Sequence, residues 1–64
     1  MNINGKKLFE KRIKAGLNRM DIGNFLGVTY QRVAQLEKEG NHNINEHVLK
    51  ALSKKLGVKP EELQ

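Results

Sequence analysis

Apolar residues along this chain fall into four helical windows, each closed by a glycine or a polar break. Leu8, Phe9 and Ile13 recur at a spacing that lines one helix face over Lys6–Ala15, and Gly16 follows as a residue that closes a helix in the left-handed region. Asn18 is a strong N-cap residue for a second window, Arg19–Leu26. Asp21, three positions on, favours the positive helix end, and Ile22, Phe25 and Leu26 supply the apolar face. After Gly27-Val28, Thr29 caps a third window from Tyr30 to about Glu39, with Val33 and Leu36 inward. A polar stretch, Gly40-Asn41-His42-Asn43, precedes a fourth helix striped by Ile44, Val48, Leu49, Leu52 and Leu56 and ended by Gly57. Either Asn43 or Asn45 suits its cap, and Asn43 with Glu46 approximates a capping box. Pro60 suits the first turn of a last short helix, Pro60–Leu63. No segment alternates with period two over a useful length, so strands are not expected and the chain reads as all-α.

Sixty-four residues make one domain, 1–64, with room for only a small core and a marginal stability. Without cysteine, neither disulfides nor thiolate metal sites can staple it, which fits a cytoplasmic location. No apolar run approaches a membrane span, and Met1–Glu10 lacks the apolar region of a secretory signal. Charge is more informative: residues 1–32 hold seven basic and two acidic side chains, whereas residues 33–64 hold five of each. That asymmetry points to a polyanion near the first half, or to a well-solvated basic surface.

Asn18–Lys38 carries the function. Two short helices joined by a brief turn containing glycine describe a helix-turn-helix, here about residues 18–39. Gly23 costs about 1 kcal/mol relative to alanine inside a helix, and close approach of the next helix accounts for it. Val28, Val33 and Leu36 are expected to pack this pair against the first helix. Gln31 and Gln35, one turn apart, share a face opposite Val33 and Leu36; they are either solvated polar residues or base readers.

Lys11-Arg12-Ile13, Gly16-Leu17-Asn18, Leu26-Gly27-Val28-Thr29, Val33 and Gln35-Leu36-Glu37 together resemble the DNA-binding domain of lambda- and 434-type phage repressors and Cro proteins, within the Xre-like family. Leu56-Gly57-Val58 and Glu61-Glu62-Leu63 match that family's later helices, so the resemblance covers roughly residues 5–63. It implies a compact five-helix, lambda-repressor-like fold whose third helix enters the major groove of double-stranded DNA. Tyr30, Gln31, Arg32 and Gln35 are then the expected base-contacting residues: glutamine pairs with adenine, arginine reaches guanine or a phosphate, and tyrosine meets a thymine methyl or a phosphate. Asn18, Arg19 and Thr29 at helix starts, with Lys38, His42 and Asn43, are the expected phosphate contacts. Arg19 stands where many relatives have glutamine; it is expected to keep the phosphate contact and to give up a supporting hydrogen bond to the third helix.

The resemblance also implies a structural ion pair between Arg12 and Glu37. Phe25 stands where a charged residue is common, which implies half-exposure or repacking of the fourth helix; Glu39 replaces a frequent glycine, implying a reshaped loop. No cofactor and no metal are expected: His42 and His47 are five apart, off the helical ligand spacing, and Ser53 has no evident base partner. An enzyme is not expected. The resemblance implies a transcriptional regulator, most simply a repressor at a palindromic operator, acting as a homodimer through Val58, Leu63 and the loop before the fourth helix. The alternative is a protein-interaction module of the same fold, binding a partner regulator or a toxin.

Overall fold

Asparagine opens three of the four α-helices and threonine the other. The computed structural model describes residues 1–64, with the order β1 (Asn2–Asn4), α1 (Gly5–Lys14), α2 (Arg19–Leu26), α3 (Tyr30–Leu36), β2 (Asn41–Asn43), α4 (Glu46–Leu56) and a closing 3₁₀ turn, Pro60–Leu63. Each cap residue is extended and its side-chain oxygen accepts a free first-turn N–H: Asn4 from Lys7, Asn18 from Asp21, Thr29 from Arg32 and Asn45 from His47. Such a cap contributes about 1 kcal/mol, so a chain with a small core gains much from four of them. At α2 the arrangement is reciprocal, because Asp21 also accepts from the Asn18 N–H at 2.9 Å. Gly27 ends α2 at φ 72°, a left-handed conformation that side chains with a Cβ adopt at a cost, and this turns the chain into α3.

Several expectations are corrected. The chain is not all-α: β1 and β2 form an antiparallel ribbon with Asn2 opposite Asn43, Ile3 opposite His42 and Asn4 opposite Asn41. The last element is a four-residue 3₁₀ turn, so there are four α-helices and not five. Asn43 lies in β2, which leaves Asn45 as the α4 cap. The third helix stops at Leu36, and Glu37 is its C-cap.

On α1 the buried positions are Gly5, Leu8 and Arg12, whereas Phe9 and Ile13 are 42% and 55% exposed. The helix is rotated away from its most apolar face because the partner it meets, the end of α3, requires a guanidinium there. Val28 is likewise exposed. Phe25 is half-exposed as expected, its ring lying 5.2 Å from the Lys55 ammonium on α4. The core gathers Ile3, Leu8, Ile22, Val33, Leu49 and Leu52 from every layer, and Leu63 of the closing turn is wholly enclosed with them. Leu63 therefore has no surface to offer a second copy, contrary to expectation. Ser53 is buried and donates to the Lys50 carbonyl at 2.8 Å, a packing role.

Gly5 sits where α1 crosses the end of α3. A Cβ at this position would overlap the Lys38 carbonyl oxygen and stand 2.9 Å from that of Leu36. Gly5→Ala is expected to destabilise the protein by about 1–3 kcal/mol despite alanine's better helix propensity, read as a lower urea midpoint. A second expectation concerns acid. The Lys59 backbone N–H, donating to Glu62 at 2.7 Å, and then the Lys11 ammonium, at 3.6 Å, hold the Glu62 carboxyl below its ordinary value of 4.5. A depressed carboxyl stabilises the fold above its unfolded value and loses that contribution as pH falls through the folded one. Glu62→Gln should therefore flatten the decline in melting temperature below about pH 4.5 and lower the plateau above it.

Candidate nucleic-acid interface

The α2–α3 pair is held close by a missing side chain. Gly23 is buried against the turn: its carbonyl accepts from the Val28 N–H at 2.9 Å, and a Cβ there would stand 2.9 Å from the Val28 oxygen. With Gly27 turning the chain and Thr29 capping the next helix, α3 follows α2 after three residues. This is a helix-turn-helix.

Val33 and Leu36 anchor α3 in the core, which leaves Tyr30, Gln31, Arg32 and Gln35 exposed on its other faces. All four expected base-reading side chains thus lie on one exposed helix. They are not equivalent. Arg32 donates to the Gln35 side-chain oxygen at 3.5 Å, and the Tyr30 hydroxyl accepts from Arg19 at the same distance. The Arg19 guanidinium also lies 5.9 Å from the centre of the Tyr30 ring.

Beneath this surface is the expected ion pair, in a larger form. The Glu37 carboxylate is buried, with its side chain 1% exposed. It accepts from Arg12 Nε on Oε2 and from Arg12 Nη2 on Oε1 at 3.0 Å, a two-point contact of fork on carboxylate. Arg12 Nη1 donates to the Leu17 carbonyl at 2.9 Å. Arg19 Nε also donates to Glu37 Oε1, at 3.0 Å. That contact first, and the one to Tyr30 second, raise the Arg19 pKa above its ordinary value, so the residue stays charged. The expectation that Arg19 gives up its link to the third helix is corrected: it bonds both ends of α3, Tyr30 at the start and Glu37 at the cap. The long sequence separation hid this contact. Its one hint was that a two-point contact from one arginine fills only two of the roughly four acceptor sites of a carboxylate.

The remaining site residues are spread around α3. The side-chain oxygens of Asn18 and Thr29 are spent on capping. Lys38 is exposed just beyond α3, and its carbonyl accepts from His42 Nε2 at 2.8 Å, which ties the half-buried histidine to the helix end. Asn43 is exposed, and its side-chain oxygen accepts from the Met1 ammonium at 3.5 Å. It lines a groove of about 640 Å³ together with Arg32, Val28, Ile44 and Val48. No three metal-ligating side chains converge anywhere, and no helix is long and apolar enough to cross a membrane.

A helix-turn-helix family model matches residues 8–63, and the chain belongs to this Xre-type helix-turn-helix family of DNA-binding transcriptional regulators. Among solved structures it is similar to the restriction-modification controller protein C.AhdI from Aeromonas hydrophila, with 27% identity and a TM-score of 0.76 over 94% of this chain and 89% of that one. A search of the curated proteins found no match.

The network sets a clear order of losses. Glu37→Ala should cost about 3–5 kcal/mol, because it strands a buried guanidinium. Arg19→Gln should cost much less stability, since that side chain is about one-third exposed. Urea unfolding of the two variants checks the ranking.

Proposed function

We propose that this chain represses transcription by binding a palindromic operator as a homodimer, with α3 of each copy in the major groove. The observation that carries the reading is the exposed row Gln31, Arg32 and Gln35 on a short helix whose opposite side is locked into the core. The groove is about 12 Å wide, which admits one helix, and these side chains are of the types that pair with base edges. Arg19, Lys38, His42 and the free amide groups of Asn18 and Asn43 flank the row as phosphate contacts; Thr29 joins them through its place at the α3 start. Tyr30, tied to Arg19, belongs with the phosphate contacts more than with the bases.

Size supports the dimer. The molecule measures 22 × 21 × 20 Å, whereas one helical turn of DNA spans about 34 Å, so one copy covers one half-site. With Leu63 enclosed, the contact between copies is assigned to Val58 and the Asn41–Asn45 segment. The likeness to a controller protein fits a cytoplasmic regulator. A second reading, docking of a protein partner, is favoured only by the apolar side of the groove beside Val28 and Val48.

Selection from a random duplex library at near-physiological salt tests this. The expected result is an enriched palindrome with half-sites about one turn apart, and a loss of about 1–3 kcal/mol in affinity for it in Gln31→Ala. Retention without enrichment, falling steeply with salt, would reduce the interaction to phosphate contact alone. No retention would favour the protein partner.

A further inference from the structure

Asn4 is the only asparagine followed by glycine; Asn2, Asn18, Asn24, Asn41, Asn43 and Asn45 all precede residues that carry a Cβ. An asparagine-glycine step has a chemistry of its own. In a flexible chain the backbone nitrogen after an asparagine can attack the side-chain amide carbon and close a succinimide ring. Glycine allows the approach most readily, because it has no Cβ and its backbone rotates freely. At Asn4 the step requires that base take the Gly5 N–H proton, that the Gly5 nitrogen bond to Asn4 Cγ, and that the Cγ–Nδ2 bond break. The departing nitrogen takes a proton from water and leaves as ammonia. Water then opens the ring, at Cγ to give aspartate or at the Asn4 backbone carbonyl carbon to give isoaspartate.

The native fold withholds each requirement. Ring closure needs the Gly5 nitrogen on the same side of the Asn4 Cα–C bond as Cβ, and a ψ of 119° at Asn4 turns it away. The Asn4 side-chain oxygen accepts from the Lys7 N–H at 3.0 Å, which holds Cγ over the first turn of α1. The Gly5 N–H is itself engaged, donating to the Gly40 carbonyl at 2.9 Å. Rotation at Asn4 is blocked from both sides. Ile3, just before it, is wholly buried, and Gly5, just after it, is pressed against the Lys38 and Leu36 carbonyls. Freeing the junction therefore means drawing a core residue out, which costs much of the fold.

We propose that Asn4-Gly5 is a self-modification site, at which the opened chain converts Asn4 to aspartate and isoaspartate while the folded chain is protected. The two products differ in consequence. Aspartate keeps the backbone and caps a helix as well as asparagine does. Isoaspartate carries the main chain through the former side-chain carbon, which adds a methylene between β1 and α1. Gly5 then loses its place against the α3 end, and the cap oxygen is no longer where the Lys7 N–H can reach it. Each opening of β1 thus exposes the chain to a step from which the isoaspartate form does not return to the native structure.

The test is incubation of the full chain at mildly alkaline pH, folded in buffer and unfolded in guanidinium chloride. Peptide mass mapping follows the gain in mass as amide becomes acid, and isoaspartyl methyltransferase labelling follows isoaspartate. In the unfolded chain Asn4 is expected to convert faster than every other asparagine. In the folded chain its conversion should be slower by about a hundredfold or more, because the rate then follows the small population of opened molecules. Equal rates in the two conditions would overturn the protection, and an unfolded chain in which Asn4 is no faster than the other asparagines would overturn the site. The isoaspartate form, separated by chromatography, is expected to lose the native melting transition seen by circular dichroism, whereas Asn4→Asp keeps it. An isoaspartate form that melts like the native chain would overturn the backbone argument. Loss of the transition in Asn4→Asp as well would trace the damage to charge and overturn it too.

Discussion

One buried carboxylate holds three helices in register. Glu37 occupies the C-cap of α3, the negative end of that helix, where a second negative charge is unfavourable. It is tolerated because Arg12 reaches it from α1 and Arg19 from the start of α2, both through direct hydrogen bonds. Two guanidiniums on one carboxylate leave a unit of positive charge, carried by the more exposed partner, Arg19. The same group thus fixes the angle of α3 against the body of the protein and sets a cation at its flank. A buried ion pair adds little net stability compared with apolar packing, and its value lies in admitting one arrangement of its neighbours.

The end of α3 is held from a second side by shape. Gly5 lets the start of α1 press against the Leu36 and Lys38 carbonyls, and its N–H donates to the Gly40 carbonyl at 2.9 Å. The β1–β2 ribbon continues from this contact, so the segment between α3 and α4 is laced to the N-terminal strand. A charged interaction and a steric one therefore converge within a few residues, Leu36 to Gly40, and the remaining core assembles around them.

The starts of α2 and α3 were legible because capping is local: Asn18 with Asp21, and Thr29 before Val33, carry their signal within four residues. The glutamine face of α3 was legible for the same reason, since periodicity separates it from Val33 and Leu36. The ribbon was not. Its strands are three residues long, and Asn41-His42-Asn43 is made of types that avoid strands, paired with partners 37 to 41 positions away. The face of α1 misled for a related reason. Leu8, Phe9 and Ile13 make the better apolar stripe, but burial went to Arg12, whose partner lies 25 residues on. The enclosure of Leu63 and the double role of Arg19 are likewise tertiary facts with no local trace.

The His42–Lys38 contact and the ribbon give the segment after α3 a fixed place that its composition does not suggest. A mobile polar loop beside a reading helix would have to be ordered when a duplex arrives, and each residue so ordered costs about 1–2 kcal/mol of conformational entropy. Here that ordering is completed during folding. In the operator complex proposed above, a DNA duplex meets this segment in the place that folding gave it, and affinity there depends on the match of side chains to phosphates.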